Sequence, residues 1–165
     1  MQYPASHTDA GAKSALIDEY ARAISDLKAV LHGLSDEALC QIVDLETKDE
    51  DCRSIQTILS HVVRAGYGYA IAVRKWKGEG LGYLPRQPLP TAAAYAEALD
   101  AVMTYNELLF LDYPGLHLEE HAPNAKIKVT WGQTYDVEQL FEHAIVHILR
   151  HRRQIEGFLV KLRSA

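Results

Sequence analysis

The sequence predicts an all-α protein, an up-down-type four-helix bundle with long crossing loops and a small extended or hairpin excursion before the last helix. Three observations predict it. Four segments repeat apolar residues at helical spacing, each has a residue typical of a helix end at one boundary, and the connections are long enough to cross a bundle. With 165 residues, 48% of them hydrophobic, the chain is predicted to form one domain, residues 1–165.

The boundary residues define the four predicted helices. A glycine follows the first helix, and each of the others is preceded by a side chain that can accept a hydrogen bond from the first helical turn. These residues are, in order, Gly33, Ser54, Thr91 and Asp136. The predicted helices cover about residues 9–32, 55–76, 92–113 and 137–162.

The three connections differ in character. The first contains a short helical turn at 34–37 and a charged, aperiodic stretch at 47–53. The second, residues 77–90, holds three glycines and three prolines, which excludes regular structure and predicts a long crossing loop. The third, residues 116–135, alternates apolar and polar residues and predicts a small hairpin or extended excursion.

Composition narrows the functional classes. A net charge of -5 and a pI near 5.9 argue against a nucleic-acid-binding surface. The local cluster of Arg150, Arg152 and Arg153 fits a solvated helix face or a complement to the helix dipole. No apolar run approaches the roughly 20 residues of a membrane span, and no targeting pattern is evident, which predicts a cytoplasmic protein that does not bind membranes. Cys40 and Cys52 are predicted to be reduced thiols.

Histidines on the last predicted helix suggest a metal site. His143, His147 and His151 recur every four residues and therefore lie on one side of the helix. His147 and His151 fall on its apolar stripe, where a buried imidazole without a partner costs about 1–3 kcal/mol. Each could instead be a core histidine bonded to a carbonyl or carboxylate. His61 lies on or near the apolar stripe of the second helix. A divalent metal ion would give His61, His147 and His151 a common partner.

Other ring-bearing residues have less defined roles. His143 is rotated by about 40° from His147 around the helix, so a fourth ligand, an outer-shell or acid–base group, and an edge residue all stay open. Two histidines in the third connection are predicted to be solvated: His117 and His121. Three aromatic residues are predicted to be core or interface residues in preference to a substrate-binding box: Tyr67, Tyr69 and Trp76.

Two stretches, residues 131–155 and 54–61, carry a family resemblance. The first reads Trp-Gly followed by a helix containing His-x-x-x-His-Arg-x-Gln-Ile, and the second ends in a histidine on the second helix. They resemble the DinB-like four-helix-bundle metalloproteins, and the resemblance covers essentially the whole chain. The sequence departs from the pattern at Arg153, where many members have glycine.

The resemblance implies a site and a set of partners. It assigns His61, His147 and His151 as a facial metal triad, usually occupied by Zn or Ni, with water completing the shell. It places Arg152 and Gln154 as structural or outer-shell groups. It also implies a homodimer, because many relatives pair through bundle helices.

The function is predicted from the characterised members of the wider superfamily and from the number of protein ligands. Characterised members of the wider superfamily include S-transferases and isomerases that use bacillithiol or mycothiol, whereas others have only a proposed hydrolase activity. Because three protein ligands leave a coordination position open, we expect a metal-dependent enzyme acting on a small molecule. The triad does not distinguish thiol transfer from hydrolysis, and the resemblance implies a transferase that uses a low-molecular-weight thiol as the first choice and a hydrolase as the second. The alternative is a non-catalytic dimeric binding or stress-response module cross-linked by the metal.

Overall fold

The computed structural model describes residues 11–164, which fold as the predicted all-α protein. Its helices are α1 (Ala12–Val30), α2 (Asp36–Cys40), α3 (Ile55–Trp76), α4 (Ala92–Asp112) and α5 (Val137–Ser164). Two antiparallel strands, β1 (Ile127–Lys128) and β2 (Thr134–Tyr135), form the predicted excursion before α5. Single 3-10 turns are present at Glu50–Cys52 and Pro123–Ala125. The predicted start of the first helix, near residue 9, lies outside the described residues.

Side-chain caps fix where three of the long helices begin. The Ser54 hydroxyl accepts the Thr57 backbone N–H at 3.1 Å, and the Thr57 hydroxyl accepts the Ser54 N–H at 3.0 Å. Thr91 accepts a 3.1 Å hydrogen bond from the first turn of α4. Asp136 accepts the Gln139 N–H at 2.8 Å at the start of α5. These bonds satisfy N–H groups that the helix leaves unpaired, and they confirm the predicted caps.

The four long helices pack so that α1 contacts α4 and α5, and α3 contacts the same two helices. α1 and α5 run in the same direction, since Tyr20 packs on Phe141 and, further along both helices, Asp26 pairs with Arg152. The opposite direction of α1 and α4 follows from two contacts, Lys13 with Pro114 and Lys28 with Asp100.

α3 and α4 run parallel to each other, which explains the long connection between them. Near their starts the Ser60 and Tyr95 hydroxyls lie 2.6 Å apart, and near their ends Arg74 pairs with Asp112. Because two consecutive helices are parallel, residues 77–90 must return along the bundle. The predicted crossing loop is therefore present, and the helix directions are up, down, down, up.

The core face of α5 differs from the predicted stripe at one position. Ile148 is buried, whereas His147 is only half-buried at the edge of the core. Neighbouring positions differ by about 100° around a helix, so either could have continued the stripe. The buried residues of α5 are Val137, Leu140, Phe141, Ala144, Ile148, His151, Ile155 and Phe158. Within residues 11–164, no helix is long and apolar enough to cross a membrane.

Candidate metal centre

Three histidines converge where the start of α3 packs against the middle of α5. His61 comes from the second turn of α3, and His147 and His151 come from successive turns of α5. The Nε2 atoms of His61 and His147 are 2.8 Å apart, and the candidate ligand nitrogens of all three lie within 4.8 Å of one another. The predicted site residues are therefore close enough to bind a metal ion.

Burial keeps these imidazoles in the form that binds metals. Loss of solvation lowers the pKa of His147 to about 2 and the pKa of His151 to about 4. Burial also lowers the pKa of His61, against the opposing effect of Asp51. All three rings are neutral near pH 7, and a neutral imidazole has the lone pair that a metal needs.

Hydrogen bonds orient two of the three rings. His61 Nδ1 lies 3.1 Å from Asp51 Oδ2, and His151 Nδ1 lies 3.1 Å from Gln154 Oε1. Both oxygens are acceptors, so each Nδ1 carries the proton and each Nε2 presents a lone pair. The His61 lone pair faces His147 Nε2 at 2.8 Å. Two nitrogens on metal–nitrogen bonds of about 2.1 Å lie about 3.4 Å apart at a tetrahedral ion, so a small movement of the two rings would admit an ion. This donor set fits a divalent ion.

Asp51 is the functional residue that the sequence did not predict. One carboxylate oxygen accepts His61 Nδ1–H, and the other pairs with Arg86 from the crossing loop. Arg64 Nη2 lies 3.7 Å from the first oxygen. Metal-binding histidines commonly donate their second nitrogen to a carboxylate, which fixes the ring and raises its basicity. The one sequence feature that could have indicated this role is the position of Asp51 in a charged, aperiodic stretch ten residues before His61.

The residues after His151 take the supporting positions expected from the resemblance. Gln154 orients His151 and also accepts the Cys52 thiol at 3.7 Å. Arg152 pairs with Asp26 at 2.7 Å and so links α5 to α1. Arg153 is exposed. Cys52 is a buried free thiol, and Cys40 is an exposed one.

A cleft of about 550 Å³ opens beside the histidines. His61 and His147 form part of its wall, while His151 lies behind them. The remaining wall comes from α3, the crossing loop, the β1–β2 turn and α5: Arg64, Ala65, Gly68, Tyr69, Tyr83, Leu84, Thr130, Trp131, Gln133 and His143. An ion held by the three histidines would therefore face a space large enough for a small molecule.

His143 belongs to the cleft wall and not to the ligand cluster. Its ring stacks on Trp131 with centroids 5.6 Å apart and an interplanar angle of 23°. Its centroid is 6.3 Å from that of His147, and the cluster found among residues 11–164 does not include it. Burial lowers the pKa of His143, so its ring is neutral at pH 7. Of the three roles left open, the structure argues against the fourth ligand, because His143 lies in the cleft wall and outside the cluster.

The other predicted ring-bearing residues divide between surface, core and cleft. His117 and His121 are exposed, as predicted. Tyr69 is a buried core residue, as predicted, and it also lines the cleft. Two aromatics lie elsewhere: Tyr67 packs on Tyr105, and the partly exposed Trp76 donates its indole N–H to the Ala125 carbonyl at 2.9 Å.

Comparisons of the chain with protein-family models, with curated proteins and with solved structures found no match. The arguments for function therefore depend on the site itself and on the residues that carry the DinB-like resemblance.

Proposed function

We propose that the protein is a DinB-like metal-dependent enzyme, a transferase that joins a low-molecular-weight thiol to a small electrophilic substrate. The observation that carries the proposal is the convergence of three neutral imidazoles at the wall of an open cleft. Zn or Ni is the proposed ion, bound by His61, His147 and His151. Asp51 and Gln154 would hold two of these rings in place.

The ion supplies the activation of the nucleophile. A divalent ion among three neutral ligands keeps its full positive charge and lowers the pKa of a thiol or water that reaches it. Structural metal sites are closed by four protein ligands, whereas catalytic ones keep a position open. Within the described residues, the candidate ligand cluster contains three side chains, which supports an open site.

The side chains of the cleft provide for the remaining steps. The thiol gives up its proton, and neutral His143 in the cleft wall is the nearest candidate to accept it. The sulfur then bonds to the electrophilic carbon, and the leaving group departs with the electron pair of the bond that breaks. A proton returned from His143 neutralises the leaving group. The rings of Tyr69 and Trp131 line this space with apolar surface.

The metal is tested by elemental analysis of the purified protein. We expect about one divalent ion per chain in the unmodified protein and little in a variant carrying both His147→Ala and His151→Ala. His117→Ala is the matched control, because His117 is exposed and lies outside the ligand cluster. Equal metal contents in all three proteins would contradict the assigned site.

The reaction is tested on the cobalt-substituted protein. Addition of a low-molecular-weight thiol should produce a sulfur-to-metal charge-transfer band, and His61→Ala should abolish both the band and conjugation of the thiol to an electrophile. Activity that rises through a pKa near 7 without any thiol would instead identify a hydrolase. A metal that binds without either activity would favour the non-catalytic module.

A further inference from the structure

Three of the exposed large apolar side chains among the described residues line the cleft. Tyr83, Leu84 and Trp131 are 43%, 45% and 49% exposed, although residues of this size usually bury more of their surface. All three line the same cleft, and they come from two separate connections. Apolar side chains that surround a concave site while exposed to water are typical of a surface that a ligand covers.

The floor of the cleft is formed by small residues of α3. Ala65 and Gly68 lie one turn apart and line it. A Cβ atom built on Gly68 would meet only the ring of Tyr83, at 4.0 Å. Small residues below and rings to the side leave a space suited to a flat ligand.

The rings of the cleft wall favour an aromatic ligand over an aliphatic one. Trp131 already stacks on His143, and Tyr69 meets Trp131 edge-on with an interplanar angle of 89° and centroids 6.3 Å apart. A further planar ring could stack on the exposed part of the indole or meet Tyr69 edge-on. Such ring pairs stabilise a complex beyond the effect of the area that they bury.

The charges near the cleft favour an anion. Arg64 is the one side chain charged at pH 7 in the cleft wall formed by the described residues. Its ion pair with Asp51, at 3.7 Å, is longer than a hydrogen bond, and its side chain is 42% exposed. The charged groups that act on the three histidines sum to zero: Arg64, Arg150, Asp49 and Asp51. The positive charge that faces the cleft is therefore that of Arg64, to which a bound divalent ion would add its own.

We propose that the cleft binds a planar aromatic molecule carrying one anionic group, with its ring between Trp131 and the floor of α3 and its charge at Arg64. This inference rests on the proposed function for its use of the cleft as the substrate site, and it names the class of substrate. The preference for an anion is a property of the cleft and not of the whole chain, which carries a net charge of -5.

Isothermal titration calorimetry of the purified full-length protein, loaded with zinc, tests the class. The probes are naphthalene carboxylate, the matching uncharged naphthalene amide, and octanoate as an aliphatic acid. We expect the aromatic acid to bind at least about tenfold more tightly than either of the others. Equal affinity of the amide would overturn the anionic group, and equal affinity of octanoate would overturn the aromatic preference.

Substitutions in the cleft wall test where the aromatic acid binds. Arg64→Gln should reduce the affinity for the acid to that for the amide, and Ala65→Phe should abolish binding by filling the floor. Trp131→Leu should remove the preference for the aromatic acid. Because the Trp131 side chain is half-exposed, this substitution does not alter the core. Leu111→Ala is the control, because Leu111 is 69% exposed on α4 and lies outside the cleft. Unchanged binding in Arg64→Gln or Trp131→Leu would overturn the proposed placement.

The calorimetry separates this inference from the proposed function. Tight binding of the aromatic acid by a protein that conjugates no thiol would contradict the enzyme and leave the ligand class standing. Thiol conjugation by a protein that does not distinguish acid from amide would contradict the ligand class alone.

Discussion

At the scale of single residues, Asp51 joins the metal centre to the loop beside it. It holds the Nδ1 proton of His61 on one oxygen and pairs with Arg86 on the other, while Tyr83 and Leu84 of the same loop line the cleft. A single carboxylate therefore orients a candidate ligand and is paired with the loop that forms part of the cleft wall.

Asp51→Asn should weaken metal binding about tenfold to a hundredfold, because the carboxylate that orients the imidazole and increases its basicity is replaced by a neutral amide. The measurement is a competition titration against a chromogenic chelator. Asp100→Asn provides the control, since Asp100 pairs with Lys28 at the surface, away from the histidines. An unchanged metal affinity in Asp51→Asn would show that the carboxylate does not support the site.

The sequence predicted the three histidines but not Asp51, for a physical reason. His147 and His151 share a helix face, which their spacing alone determines, and His61 follows from its place on the apolar stripe of α3. Asp51 lies in an irregular segment whose path depends on tertiary contacts, and no local period indicates where its side chain points. Trp131 and Tyr83 were missed as cleft residues for the same reason.

At the scale of helices and loops, the sequence predicted those features that short-range chemistry determines. Ser54, Thr91 and Asp136 cap their own helices through hydrogen bonds to the first turn, so each start could be read from a few residues. The direction of α4 relative to α3 could not be read in this way. It depends on where residues 77–90 run across the bundle.

The packing of α3 on α4 depends on one glycine. A Cβ atom at Gly66 would lie 2.5 Å from Val102 Cγ1, and the Asn106 amide donates to the Gly66 carbonyl at 3.0 Å. Val102 cannot easily move aside, because a β-branched side chain in a helix has one strongly preferred rotamer. Gly66 therefore permits a close approach of the two helices.

Gly66→Ala should lower the free energy of unfolding. Overpacking costs about 1–3 kcal/mol, and the better helix propensity of alanine offsets about 1 kcal/mol of that cost. Gly68→Ala is the matched control two residues away on α3, where the added methyl group meets only Tyr83 at 4.0 Å, and it should be neutral or stabilising. Urea unfolding measures both. Val102→Ala should restore stability in the Gly66→Ala background, and equal stability of the two single variants would contradict the close approach.

At the scale of the whole molecule, an acidic chain surrounds a cleft in whose wall Arg64 is the one charged side chain among the described residues. Long-range attraction of anions is therefore weak, and recognition of the proposed anionic ligand would depend on contacts at Arg64 and at a bound ion. The homodimer implied by the family resemblance stays a prediction. Its test is light scattering at micromolar concentration, in which a mass near 18.5 kDa would indicate a monomer and contradict it.

Burial of the histidines also affects the stability of the entire fold. In the unfolded chain they take up protons near pH 6.5, whereas in the metal-free folded protein the pKa of His147 is lowered to about 2 and that of His151 to about 4. Between these values the unfolded state binds more protons than the folded state. The free energy of unfolding therefore falls as the pH falls below about 6.5, by up to about 1.4 kcal/mol per pH unit for each such histidine.

Urea unfolding of the chelator-treated protein at pH 7, 6 and 5 should show this loss of stability. Between pH 7 and 8 these histidines should contribute only a small change, because they are mostly neutral in both states. His147→Leu should unfold with a shallower dependence on pH, since it removes the imidazole with the lowest pKa, and His117→Ala at an exposed position should keep the original slope. An identical slope in His147→Leu would mean that the pKa of His147 is the same in the folded and unfolded states, and its lowering by burial would then be wrong.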